Sequence, residues 1–178
     1  VQGVVDPQMC GIAGFIALRN QYSRDELERL GRQMGDSIFH RGPDAGGTWV
    51  DETKGVVFAN RRLAIVDLSE MGAQPMVSAS GRFVIAYNGE IYNTSELRQK
   101  LEQTGQTFRG HSDTEVLLEA ISAWGVEATL RQTNGMFAFA LWDREDSCLI
   151  LARDHLGIKP LYWQLNDGDA LYNLYPVL

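Results

Sequence analysis

The sequence predicts an α+β fold, a four-layer α/β/β/α sandwich of two antiparallel sheets packed face to face and flanked by helices. Three observations carry that expectation. Short runs such as GIAGFIAL, FVIAYNG, MFAFALWD and CLILARD are apolar without alternation, so both faces of each strand need covering by another layer. REDS at 144–147 and Asn166-Asp167-Gly168 join neighbouring runs as tight connections, which makes the pairing antiparallel. Stretches of helical period fall between groups of strands, where they supply the outer cover. At 178 residues the chain fits one domain that buries roughly two thirds of its unfolded surface.

In chain order, residues 11–18 form a buried strand. Ser23-Arg24-Asp25-Glu26 is a capping box, and the helix it opens carries Leu27, Leu30, Met34 and Ile38 on one stripe. HRGPDAGG, residues 40–47, has one proline and three glycines and reads as a loop of unusual backbone geometry. TWV and VVFANRRLAI are strands, VDLSEMGAQPM is irregular, and FVIAYNG is a strand that ends in a tight turn at Asn88-Gly89. A second helix runs from about Asn93 to Gln103 and stops at Gly105. A third opens with the box Ser112-Asp113-Thr114-Glu115, presents Val116, Leu117, Ala120, Ile121 and Trp124, and ends at Gly125. MFAFALWD, CLILARD, LYWQL and ALYNLY complete the strands, with no repeat, low-complexity tract or internal linker.

A net charge of −7, with no basic cluster beyond Arg61-Arg62, excludes a nucleic-acid partner. Apolar runs fall far short of the ~20 residues a membrane helix needs, and the N-terminus lacks a signal layout. Cys10 and Cys148 lie in no disulfide or metal spacing, so a reducing, cytoplasmic setting is expected, with Cys148 serving as packing in its hairpin strand. His40, His111 and His155 are scattered among loops without ligand spacing, so no metal site is expected.

Taken alone, Cys10 reads as a small buried hydrophobe. Its place after Met9 changes that reading. Cleavage after Met9 leaves a terminal thiol beside an α-amine of pKa about 7.7–8.0, a nucleophile and its base in one residue. Attack on a carbonyl needs oxyanion donors, and the Asn88 side-chain amide with the Gly89 N–H can provide two. An amino-acid substrate also needs a bidentate cation for its carboxylate and an anion for its ammonium, chemistry that Arg62 and Asp113 possess.

MCGIAGF, HRGPDAGG, RRLAIVDL, QPM, YNGEIYN, HSDTE, GMFAFALWD and ARDHLGIKPLYW stand in an order that resembles class II glutamine amidotransferase domains, the N-terminal nucleophile hydrolase type. RRLAIVD and RDHLGIKPLY resemble the asparagine synthetase branch more closely than the branches acting on sugar phosphates or phosphoribosyl pyrophosphate. The resemblance, over residues 9 to about 163, implies that Cys10 attacks the glutamine side-chain carboxamide, ammonia leaves, and water hydrolyses the thioester to glutamate. It implies oxyanion donors at Asn88 and Gly89, the carboxylate-binding arginine at Arg62, the ammonium-binding aspartate at Asp113 and a further glutamine contact at Glu90. Arg41 and Gly42 match the loop that orders over bound glutamine, and Asn93 matches a residue holding this local framework. No cofactor is implied in this chain; ATP and magnesium belong to a synthetase domain or partner subunit that receives the ammonia, and a homodimer is open for the full-length protein.

Two departures stand beside the resemblance. Residues 1–8, VQGVVDPQ, place the Cys10 amine in a peptide bond and are read as a tag remnant or propeptide ahead of a glutaminase domain at 9–178. After ALYNLYPVL there is no SGGxDS-type ATP loop, so the synthetase domain is read as absent. The alternatives are a non-catalytic binding or assembly module with Cys10 blocked by the leader, and a Cys-His hydrolase that uses one of the three histidines.

Overall fold

The computed structural model describes residues 10–18, 22–63, 72–166 and 169–173, with Asn166 and the last five as backbone. The leader through Met9, residues 64–68 of RRLAIVDL, most of VDLSEMG, the rest of the 166–168 turn and the end of ALYNLY lie outside these. The chain divides into two compact units, one running to Ile65 and resuming at Tyr162, the other from Val66 to Leu161. Each contains one antiparallel sheet, as the α+β reading expects.

In the first unit, β1 (Gly11–Ala17) is buried along its whole length, with β3 and β9 on its two edges and α1 over one face. The remaining strands are β2 (Ala45–Asp51), β3 (Val56–Arg62), β8 (Tyr162–Asn166) and β9 (Asp169–Asn173), and the sheet order is β2-β3-β1-β9-β8. The first and last of the described strands are therefore neighbours, with Ala13 opposite Asn173 and Ala17 opposite Asp169. Helix α1 (Arg24–Ser37) begins at a complete capping box: the Ser23 hydroxyl accepts from the Glu26 N–H, and Glu26 Oε2 accepts from the Ser23 N–H at 2.8 Å. Leu27, Leu30 and Met34 pack it onto Phe15, Val50 and Val57, and Gly31 lets the helix approach Val57 to where a Cβ would stand 2.8 Å from Cγ1.

The HRGPDAGG segment departs from the loop expectation. Phe39–Arg41 is a turn of 3-10 helix, and Ala45, Gly46 and Gly47 already belong to β2. Gly42 has an extended φ of −157°, and its small size matters instead: a Cβ would fall 2.5 Å from Arg62 C and 2.7 Å from Arg61 C. Close approach to β3, not left-handed backbone, requires this glycine.

The second unit has β4 (Met76–Val77), β5 (Phe83–Ile91), β6 (Gly135–Asp143) and β7 (Cys148–Arg153), in the order β4-β5-β6-β7. Helices α2 (Thr94–Gln103), α3 (Asp113–Trp124) and α4 (Val126–Gln132) follow β5. Phe83, Ile85, Tyr87 and Ile91 of β5 share a core with Leu97, Leu101, Val116, Leu117, Ile121, Phe137 and Phe139. The opposite face, with Val84, Ala86, Asn88, Ala138 and Ala140, is equally buried. Asn88-Gly89 lies inside β5, opposite Ala138 and Phe137, and not in a turn. At Gly89 a Cβ would stand 2.5 Å from Met136 O and 2.6 Å from Phe137 Cβ, so crowding by β6 explains the glycine that suggested a turn.

Three further expectations need correction. The box at Ser112 is half formed: its hydroxyl caps Glu115 N–H at 3.2 Å, but the Glu115 carboxylate accepts instead from the N–H groups of Arg109 and Gly110. Helix α4 follows Gly125 directly, and the glycine read as a stop is a corner with φ +82° between two helices. Cys148 is exposed at the start of β7 rather than packed.

After β7 the chain turns at Asp154, which is buried and accepts from four N–H groups: Phe137 at 3.2 Å, Leu156 at 3.1 Å, Ile158 at 2.9 Å and Lys159 at 3.0 Å. Burial alone raises such a carboxyl, but these hydrogen bonds outweigh it and hold Asp154 below the ordinary aspartate value. A depressed folded value stabilises the protein above the unfolded pKa, and that contribution disappears as pH falls through the folded one. Urea unfolding of Asp154→Ala is expected to show a loss of roughly 2–4 kcal/mol at neutral pH, from four orphaned N–H groups. The difference from the parent shrinks on acidification; one that stays constant down to strongly acidic pH contradicts the assignment.

Candidate active site

Cys10 sits one residue before β1 and is half-buried. Its Sγ accepts from the Leu63 N–H at 3.4 Å and lies 3.8 Å from the Leu63 carbonyl oxygen. The ladder pairs Gly11 with Arg61, so one further step sets Cys10 across from Arg62. Side-chain alternation places both with Ile12 and Asn60 on the face away from α1. Arg61 turns the other way: its Nε donates to Gly35 O at 3.1 Å, it pairs with Asp36, and it lies over the Phe39 ring at 5.1 Å. Of the two adjacent arginines, Arg62 therefore shares the face of the thiol.

Arg41 and Gly42 belong to the same end of the sheet. Arg41 is 2% exposed, and a Cβ on Gly11 would come within 3.1 Å of Arg41 Cβ. Gly42 rests on the backbone of Arg62, as described above. Cys10, Arg41, Gly42 and Arg62 are thus gathered at the start of β1 and the end of β3.

In the second unit the edge of β5 carries the corresponding chemistry. β4 pairs only with Val84 and Ile85. Beyond it, every second N–H of β5 points toward an edge with no strand among the described residues. The Tyr87 N–H donates to Gln74 Oε1 at 2.7 Å, and the Ile91 N–H donates to Asp113 Oδ2 at 3.1 Å. Gly89 lies between them with the same parity. Its opposite residue, Phe137, directs both N–H and C=O to Asp154. The Gly89 N–H therefore faces the edge and has no partner among the described residues.

Asn88 is 3% exposed, and its Nδ2 has no hydrogen-bond partner among the described residues. A buried amide of this kind costs about 1–3 kcal/mol, and such groups are rare unless a ligand uses them. Two adjacent donors, one side chain and one backbone, thus stand open.

Asp113 is the first residue of α3, and Ser112, not Asp113, is its cap. The Asp113 Oδ2 accepts from the Tyr87 hydroxyl at 2.8 Å as well as from Ile91, while Oδ1 accepts, among the described residues, from the Thr114 hydroxyl at 3.5 Å. Burial raises its carboxyl above the ordinary value despite the lowering effect of the Tyr87, Ile91 and Thr114 hydrogen bonds. A carboxylate buried in this way gains from a cationic ligand.

Glu90 is exposed beside Asn88. Asn93 has both ends of its amide engaged, donating to Gln132 O at 2.8 Å and accepting from the Asn134 N–H at 2.9 Å, which ties α2 to the start of β6. That is a framework role. Tyr87 and Gln74 were not singled out by sequence reasoning, although both lie in quoted motifs, YNGEIYN and QPM; alternation along β5 places Tyr87 toward α3. His40, His111 and His155 are exposed, and no group of three or more metal-binding side chains exists among the described residues. No helix among them is long and apolar enough to cross a membrane.

Residues 9–173 match the family model for a glutamine amidotransferase domain. The chain is 44% identical over 160 residues to asparagine synthetase [glutamine-hydrolyzing] 1 of Bacillus subtilis (strain 168), an alignment covering 89% of this chain and 25% of that protein. It is 38% identical to asparagine synthetase B [glutamine-hydrolyzing] of Escherichia coli (strain K12), over 92% of this chain and 28% of the relative. The chain thus spans about a quarter of the length of these curated relatives. The solved structure of glutamine phosphoribosylpyrophosphate amidotransferase from B. subtilis superimposes with a TM-score of 0.71 at 23% identity, covering 92% of this chain and 41% of that one, and shows the shared fold.

Because the Asn88 amide is buried with an open donor, Asn88→Leu is expected to raise the unfolding free energy by about 1 kcal/mol or more. Thermal or urea unfolding measures it. A fall in stability means that the amide is already satisfied in the unliganded protein.

Proposed function

The chain belongs to the glutamine amidotransferase domain family, and on that premise we propose that it hydrolyses the side-chain amide of glutamine through a Cys10 thioester. The observation that carries this reading is the pair of open donors, Asn88 Nδ2 and Gly89 N–H, beside each other on β5.

The chemistry follows from the groups assigned. A free Cys10 α-amine takes the thiol proton, and the thiolate adds to the carboxamide carbon. The carbonyl oxygen becomes an oxyanion that accepts from Asn88 and Gly89, each donor contributing about 3–4 kcal/mol of barrier lowering. The protonated amine returns its proton to the departing nitrogen, ammonia leaves, and a γ-glutamyl thioester remains. Water, deprotonated by the same amine, adds to that thioester through a second oxyanion and releases glutamate and the thiol. The active form is one in which Cys10 carries a free amine, so residues 1–8 are assigned as a leader to be removed from the domain at 9–178, and Met9 is removed with it.

Substrate recognition is assigned to ionic groups. Arg62, on the face of the thiol, takes the α-carboxylate bidentately, and Asp113 takes the α-ammonium. Glu90 supplies a further contact, Arg41 and Gly42 close over glutamine and keep water from the thioester, and Asn93 holds the β5–α2 corner that carries Glu90. The domain is given no cofactor or metal of its own. Ammonia passes to an asparagine synthetase-like domain or partner subunit that uses ATP and magnesium, a reading supported by the names of the relatives and by their greater length. The setting is the cytoplasm, and a homodimer is assigned to the full-length protein.

Glutamate and ammonia release by protein whose first residue is Cys10 tests the reading. Cys10→Ala is expected to abolish release. Asn88→Ala lowers kcat about 10²–10³-fold, while Arg62→Ala acts chiefly by raising KM. Protein with a verified free Cys10 amine that neither releases ammonia nor forms a thioester favours a non-catalytic binding module instead. Abolition by single replacement of His40, His111 or His155 favours a Cys-His hydrolase.

A further inference from the structure

Tyr87 and Gln74 have no part in the chemistry above, yet both contact the groups that flank Gly89. The Gln74 carboxamide accepts from the Tyr87 N–H at 2.7 Å and donates through Nε2 to Thr114 Oγ1 at 3.2 Å, bridging the β5 edge to the first turn of α3. The Tyr87 hydroxyl donates to Asp113 Oδ2 at 2.8 Å from a side chain only 2% exposed. Asp113 is thus held from two directions by one strand: by the Tyr87 hydroxyl and by the Ile91 N–H, both on Oδ2. The geometry leaves Oδ1 as the oxygen available to a ligand.

We infer that Tyr87 is a positioning residue for recognition of the substrate α-ammonium: with its backbone N–H held by Gln74, its hydroxyl orients Asp113 so that Oδ1 faces the substrate and keeps that carboxylate charged. The inference rests on the assignment of Asp113 to the ammonium in the proposed function, and extends it to how the charge is maintained.

A carboxylate deprived of water keeps its charge only through hydrogen bonds or a cation. The groups that face Asp113 are Tyr87 and Ile91 from β5 and Thr114 from its own helix, and it makes no ion pair among the described residues. Glu115, two residues on, is turned to Arg109 and Gly110, and His111, two residues before, is exposed. Among the described residues Tyr87 is the one titratable group hydrogen-bonded to the carboxylate. The direction of its effect is fixed: it favours the charged form, opposing burial, which pushes the carboxyl up. Without it the carboxyl rises further, and affinity for an ammonium ligand is lost at a higher pH as the solution is acidified.

The test is calorimetric titration of glutamine into protein that begins at residue 10, as in the activity test, with Cys10→Ala throughout to prevent turnover, from mildly acidic to neutral pH. Tyr87→Phe keeps the buried ring and removes only the hydroxyl. It is expected to weaken binding about tenfold at mildly acidic pH and to move the acid limb of affinity upward. In an Asp113→Asn background the same substitution is expected to add no further weakening, since no charge remains to be held. A Tyr87→Phe profile superimposed on the parent, or an equal loss with and without the Asp113 charge, overturns the inference and leaves the wider reading standing. Absence of binding by the parent, or unchanged binding by Asp113→Asn alone, overturns the wider reading itself.

Discussion

β4 stops after two residues, and three N–H groups of β5 beyond it face an edge with no neighbouring strand among the described residues. A buried backbone donor must find a partner or incur a desolvation penalty, so this short edge dictates what surrounds it. The Gln74 side chain satisfies the first donor and the Asp113 carboxylate satisfies the third. By doing so they fix the segment before β4 and the first turn of α3 to the same strand. The middle donor, on Gly89, has no partner among the described residues and is the one assigned to the oxyanion in the proposed function. Crowding by Met136 and Phe137 of β6 requires glycine there, whatever the donor binds.

The first unit solves a different problem. A nucleophile at the start of a strand needs its neighbourhood fixed by something other than its own chain. The β1–β3 register does this, carrying Arg62 to the position opposite Cys10, and the 3-10 turn after α1 packs Arg41 against Gly11 and Gly42 onto β3. In the second unit the assigned groups lie where the local structure is not at its most stable. Asn88 keeps an unsatisfied buried amide, and Asp113 keeps a carboxyl raised by burial. Stability given up locally in this way is characteristic of sites that wait for a charged or polar ligand.

Much of the fold was readable from the sequence because periodicity reports burial. The continuous apolar run of β1 and the stripe of Leu27, Leu30 and Met34 on α1 behave as their patterns imply. What pattern could not supply was partnership. Nothing local indicates that β9 pairs with β1, or that Glu115 prefers the N–H groups of Arg109 and Gly110 to its own cap. Asn-Gly suggests a turn in isolation, and only the approach of Met136 and Phe137 reveals why glycine stands within a strand. The candidate residues were legible as an ordered set of motifs, whereas Tyr87 and Gln74 were not, because their significance lies in what they touch.

The central claim is that the Gly89 N–H stands open between two satisfied neighbours and receives the oxyanion. Amide exchange and 15N NMR before and after reaction of Cys10 with a diazoketone analogue of glutamine test it most directly, since alkylation leaves a carbonyl where the carboxamide would sit. The account predicts that in the free protein Gly89 exchanges faster than Tyr87 and Ile91. After labelling, it becomes protected and shifts downfield together with the Asn88 side-chain amide. A Gly89 amide already as protected as its two neighbours, or one unmoved by labelling, contradicts the account.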